Sequence, residues 1–155
     1  MKILVVSDTH GNFTHALQAH SLTEPVDSII HLGDGVEDAN LLRGLHLDVI
    51  NVSGNCDLDA TVPREIQLEC EGKRILLVHG DAYRVKEGFE GLKQRAAEVN
   101  ADIVLFGHSH RASCFTTSGI LFLNPGTLMQ TSSRKTFATL EISEDCIKAR
   151  LHEIP

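Results

Sequence analysis

Short runs of consecutive apolar residues, each closed by a polar loop, recur along the first part of the chain. KILVVS (2–7), DSIIHL (27–32) and LDVINV (47–52) have the length and β-branched content of buried strands. FTHALQAHSL (13–22) and the residues after Gly33-Asp34-Gly35 mix polar and apolar positions as short helices do. Strand, loop, helix, strand is the rhythm of a mostly parallel sheet. After Pro63 the pattern changes: REIQLEC (64–70) and KRILLVH (73–79) flank Glu71-Gly72 and predict a hairpin. KEGFEGLKQRAAEVN (86–100) predicts the longest helix, and DIVLF (102–106) another buried strand. Beyond residue 112 the pattern predicts only short strands: SCFTTS, ILFL, TFATLEIS and CIKARLHEI. The expected fold class is α/β, with two packed mixed β-sheets flanked by helices.

The chain has 155 residues with no linker, repeat or low-complexity stretch, which predicts a single domain over 1–155. The start, MKILVVSD, is a short apolar run ending at an acid, unlike a signal peptide, and no stretch approaches the roughly 20 apolar residues of a membrane span. Cysteines at 56, 70, 114 and 146 form no CxxC pair, which suits free thiols in a reducing compartment, so a cytoplasmic location is expected. A net charge of −7, with 14 Lys and Arg spread along the chain, counts against nucleic acid as partner. The C-terminal strands could pair between subunits, leaving a homo-oligomer open.

Candidate chemistry collects where the apolar runs end. Asp8 and His10 follow the first run, Asp34 the second and Asn55 the third; His79 ends KRILLVH, and His108 and His110 follow DIVLF. Loops at the carboxyl ends of strands in open α/β sheets converge on one crevice, so these residues are expected to meet. If the segments are extended, residues two apart share a face, which would aim Asp8 with His10 and His108 with His110. Seven such ligands, two of them carboxylates, one an amide and four imidazoles, are too many for one tetrahedral ion. They fit two divalent ions with a bridging carboxylate, and such a nitrogen and oxygen set suits manganese, iron, zinc, nickel or cobalt without choosing among them. Two such ions about 3.5–4 Å apart form the usual clamp for displacement at phosphorus. The ions' charge, less that of two carboxylates and a bridging hydroxide, leaves about +1 for a substrate anion, as one phosphodiester requires.

These residues lie in SDTHGN (7–12), GDG (33–35), GNCD (54–57), VHGD (78–81), GHSH (107–110) and NPGT (124–127). In that order the motifs resemble the calcineurin-like metallophosphoesterase superfamily, and within it the small YfcE-type phosphodiesterases. The resemblance implies a four-layer αββα sandwich and a metal-dependent phosphoric ester hydrolase that attacks small phosphodiesters through a metal-bridging hydroxide. By motif, one ion would take Asp8, His10, Asp34 and His110, and the other Asp34, Asn55, His79 and His108. Asp34, Asn55 and His108 are the positions expected to serve catalysis directly. Many superfamily members carry a histidine, similar to a proton donor, where this chain has Cys56. Its absence implies reliance on good leaving groups and leaves Asp57 only the loop to hold. The same site could instead serve a phosphomonoesterase, or persist as a metal-binding scaffold without turnover.

Other readings stand beside these. His15, His20, His31, His46 and His152 are expected to be surface or hydrogen-bonded core residues. Cys56 reads as a small packed thiol. Asp81 is either an orienting partner of His79 or a solvated acid, Arg111 either a phosphate contact or a solvated arginine, and Asn124–Thr127 either a plain turn or one wall of the site.

Overall fold

Alternate residues of β1 (Lys2–Val6) face two different cores, and this alternation sets the layering of the whole chain. The computed structural model describes residues 1–155. Ile3 and Val5 point into the space between two sheets, with Ile30, Leu32, Ile75 and Leu77. Leu4 and Val6 point the other way, against Ala16 and Ala19 of α1 (Phe13–Thr23) and Ala39 and Leu42 of α2 (Val36–Gly44). Each fully buried Leu or Ile contributes about 1.5–3 kcal/mol.

β1, β2 (Ser28–His31) and β3 (Val49–Asn51) run parallel, joined by α1 and α2. β4 (Glu65–Cys70) and β5 (Lys73–Val78) form the expected hairpin. Its turn residues Glu71 and Gly72 have φ of 50° and 73°, the left-handed pair that a tight hairpin turn requires. A 3₁₀ turn at Asp81–Tyr83 leads toward α3 (Glu90–Glu98). β6 (Ile103–Leu105), β7 (Ser113–Thr117) and β8 (Ile120–Asn124) complete a sheet ordered β4-β5-β6-β8-β7. Leu92 and Ala96 of α3 cover its outer face against Leu76, Val78, Val104 and Phe106.

β9 (Thr136–Ile142) and β10 (Ile147–Glu153) cross back to the first sheet, whose order is β10-β9-β1-β2-β3, with Ile3 opposite Leu140. The two mixed sheets flanked by helices are therefore as expected. The third helix is shorter than the 86–100 predicted, and α1 is the longest at 11 residues. Gly88 interrupts the stretch, and Phe89 turns inward onto Phe106 and Phe115, with ring centroids 5.6 and 5.0 Å away.

Candidate metal centre

The residues that end β1, β2, β3, β5 and β6 meet at one end of the two sheets. Asp8 Oδ1 lies 3.0 Å from His110 Nε2 and 3.8 Å from His10 Nε2. Asp34 Oδ2 lies 3.7 Å from His10 Nε2 and 3.3 Å from His79 Nε2. His79 Nε2 is also 3.0 Å from Asn55 Oδ1 and 3.2 Å from His108 Nδ1. All seven candidate ligands are thus brought together, but not by extended backbone. Asp8, His10, Asp34, His108 and His110 have φ between 46° and 68°, a left-handed conformation that side chains adopt at a cost of about 1–3 kcal/mol each. Consecutive tight turns, rather than the two-residue period of a strand, aim them at one point.

Each carboxylate is tethered by one oxygen and presents the other. Asp8 Oδ2 accepts hydrogen bonds from the Ser7 hydroxyl and, at 3.0 Å, from the His108 N–H. Asp34 Oδ1 accepts from the Cys56 N–H at 2.8 Å. Glycines make these tethers possible: a Cβ on Gly54 would stand 2.1 Å from Asp34 Oδ1, and one on Gly107 would stand 2.0 Å from Ser7 Oγ. Burial pushes the Asp8 carboxyl upward, yet the nearby His10 and His110 rings, the charge of His79 and the Ser7 hydroxyl hold it far below the usual range. Burial likewise opposes ionisation of Asp34, but His79 and the Cys56 N–H bring it down to about 2.

His79 tests whether the site fits a cation. Its Nδ1 faces the Leu32 carbonyl at 2.8 Å, which can only accept, so Nδ1 carries the proton and a neutral ring presents a lone pair at Nε2. That lone pair points at the oxygens of Asn55 and Asp34, which are acceptors as well. His108 Nδ1, 3.2 Å away, can donate to the lone pair but leaves both oxygens unmet, whereas a cation would satisfy the whole convergence at once. Burial pulls the ring down, but Asp34, Asp8 and Leu32 outweigh it and raise its pKa. Ligand atoms of Asp8, His10 and His110 lie within 4.8 Å of one another, as do those of Asp34, His79 and His108, and those of His10, Asp34 and Cys56. The donor set of imidazole, carboxylate and amide oxygen suits divalent transition metals.

Residues without an assigned chemical role hold these loops. Asp57 accepts the N–H groups of Asp34, Gly35, Val36 and Gly54 at 2.7 to 3.1 Å, capping α2 from another loop. A buried chain that the sequence reading missed links the first two loops. The Gly33 N–H donates to His31 Nδ1, His31 Nε2 donates to Thr9 Oγ1, and the Thr9 hydroxyl donates to Asp38 Oδ2, which also accepts the Gly11 N–H. The signal for it was a histidine ending a strand run three residues before Asp34. The NPGT segment is more than a turn: Thr127 Oγ1 donates to the Asp8 carbonyl at 2.8 Å, and Asn124 Nδ2 to the Gly107 carbonyl at 3.1 Å.

Cys56 is exposed rather than packed, because its N–H is tied to Asp34 and its side chain is left at the surface. It lines a cavity of about 480 Å³ with His10, Asp34, Glu37 and Asp59. Asp81 pairs with Arg64 instead of orienting His79. Arg111 is exposed.

The sequence matches the model of the calcineurin-like phosphoesterase superfamily domain over residues 1–145. It is 32% identical over 158 residues to the probable metallophosphoesterase YsnB of Bacillus subtilis, covering 99% of this chain and 91% of that protein. The crystal structure of a conserved Streptococcus pneumoniae protein, described as a predicted phosphoesterase, superposes with a TM-score of 0.83 at 30% identity, over 98% of this chain and 88% of that one. A phosphodiesterase of Methanocaldococcus jannaschii is 25% identical over 144 residues, covering 81% of this chain and 83% of that protein.

Proposed function

The chain belongs to the calcineurin-like phosphoesterase superfamily as a metal-dependent phosphoester hydrolase, and we propose that it is a two-metal phosphodiesterase for small diesters with good leaving groups. The observation that carries this reading is the position of Asp34 Oδ2, 3.7 Å from His10 and 3.3 Å from His79, where one carboxylate oxygen faces both halves of the site. Asp8, His10, Asp34 and His110 would hold one divalent ion, and Asp34, Asn55, His79 and His108 the other. Manganese is the ion proposed, on a donor set that would also accept zinc, nickel, iron or cobalt. Bound there, the ions supply a nucleophile from water at neutral pH and counter-charge for the phosphoryl oxygens.

The chain's own residues set the substrate class. Asn55 contributes an oxygen without charge, so only Asp8 and Asp34 offset the ions, and the remaining positive charge suits a singly charged diester. Asn55 and His108 reach the surface and would meet the phosphoryl group, while Asp34, buried beneath them, would help to hold both ions. Where a proton donor would stand there is Cys56, whose thiol is pushed up by partial desolvation at the mouth of the cavity and by the nearby Asp34. A leaving group therefore departs without strong acid help, which favours aryl esters.

The reading includes one domain over 1–155 and a cytosolic setting, supported by four free cysteines, three of them exposed. No helix is long and apolar enough to cross a membrane.

The test is hydrolysis of a bis-aryl phosphate diester by chelator-stripped protein as manganese is restored, with the aryl monoester in parallel. Metal-dependent turnover favouring the diester is expected. Preference for the monoester would replace the reading with a phosphomonoesterase, and no turnover with metal bound would replace it with a scaffold.

A further inference from the structure

Cys56 stands among ligand atoms and is not needed by either ion of the proposed pair. Its Sγ lies within 4.8 Å of a ring nitrogen of His10 and a carboxylate oxygen of Asp34, and those two lie that close to each other. The placement is built into the backbone, since the Cys56 N–H donates to Asp34 Oδ1 at 2.8 Å and the neighbouring Asp57 carboxylate ties the same loop to Asp34, Gly35 and Val36. The other three cysteines are placed differently. Cys70 is buried with its Sγ against the Met1 sulfur, and Cys114 and Cys146 lie outside the ligand groupings. His10 and Cys56 are exposed above the buried Asp34, so the triangle opens into the cavity of about 480 Å³.

We propose that Cys56 is a metal-selective ligand: it joins His10 and Asp34 around a thiophilic ion such as zinc or cadmium and stays free beside a hard ion such as manganese. The inference rests on the two-metal reading given above. Thiolate sulfur is a soft donor that favours zinc, whereas manganese favours oxygen ligands. As the metal–sulfur bond forms, the thiol proton passes to solvent. The sulfur then occupies the cavity side of the ion, where a substrate would approach. Zinc is thus held more tightly than manganese in a form closed to substrate, and the metal supply sets which form predominates.

Cobalt(II) reports on this directly, because a cobalt–thiolate bond gives an intense near-ultraviolet charge-transfer band and nitrogen and oxygen ligands give only weak visible bands. Chelator-stripped full chain is titrated with cobalt as wild type, Cys56→Ser and Cys114→Ser, with bound metal counted by equilibrium dialysis. The near-ultraviolet band is expected in wild type and Cys114→Ser and absent in Cys56→Ser, with visible bands in all three. Zinc affinity should fall roughly ten- to a hundredfold in Cys56→Ser, a range that losing even a supporting contact reaches, while manganese affinity is unchanged. Visible bands without a near-ultraviolet band in wild type would overturn the inference and leave the metal centre standing. So would a near-ultraviolet band that survives in Cys56→Ser. Failure of wild type to take up cobalt would overturn both.

Discussion

The carboxylate of Asp57 holds the backbone N–H of Asp34 at 2.7 Å, from a loop that begins a strand and a helix later in the chain. The same carboxylate accepts from Gly35, Val36 and Gly54, so one side chain fixes both Asp34 and the loop that carries Asn55. Asp57→Ala strands four N–H donors and should lower stability by roughly 3 kcal/mol, two to three ordinary hydrogen bonds. Asp57→Asn keeps one acceptor oxygen and should lose about half as much. Urea denaturation of the metal-free protein measures both, and an alanine variant as stable as wild type would refute the cap.

Cys56→His places an imidazole at the position proposed to lack a proton donor. Hydrolysis of alkyl diesters should rise about ten- to a hundredfold relative to aryl diesters, at or below the usual worth of general acid help. The ratio of kcat/KM for the two esters is the readout, and an equal change in both would count against a missing acid.

Gly54→Ala adds a Cβ 2.1 Å from Asp34 Oδ1 and 2.6 Å from its backbone nitrogen. Asp34 is then forced off its tether to Cys56, and metal affinity should fall by about tenfold or more with the fold intact. Equilibrium dialysis against manganese, beside circular dichroism, separates the two effects. Wild-type affinity would mean that Asp34 has room to yield.

His31 is fully buried, and burial lowers its pKa from 6.5 to about 4. In the metal-free protein the unfolded chain therefore binds the extra proton first as pH falls. The contribution is fully present above pH 6.5 and is lost progressively toward pH 4, amounting to roughly 3 kcal/mol. His10 and His79, whose values are raised, act in the opposite sense: their contribution is complete below 6.5 and lost as pH rises through their folded values. The urea midpoint should thus fall between pH 6.5 and 4, and His31→Gln should flatten that slope. An equal slope in the variant would assign it elsewhere.

The convergence of the seven candidate ligands was legible because each closes an apolar run, and strand-end loops converge whichever way their backbones turn. The turns themselves were not legible. Asp8 at φ 52° and His108 at φ 68° adopt a conformation that neither propensity nor period reveals, so these side chains converge for a reason other than the extended backbone expected of them. The return of β9 to the first sheet was hidden as well: Ala138 and Leu140 face the core between the sheets and Phe137 the helices, an alternation that would suit either sheet. Cys56 was misjudged because free cysteines are usually buried, and here a backbone tether to Asp34 decides otherwise.

Ile3 opposite Leu140 joins strands that are made at very different times on the ribosome. Contacts so distant in sequence form late, because a long loop must close before they can stabilise anything. Until β9 emerges, β1 is an open edge whose free N–H and C=O groups can template the wrong partner. The Asp8 carbonyl also lacks the Thr127 hydroxyl that holds it. A nascent chain therefore carries all its candidate ligands before Thr127 and β9 are in place to brace the first of them.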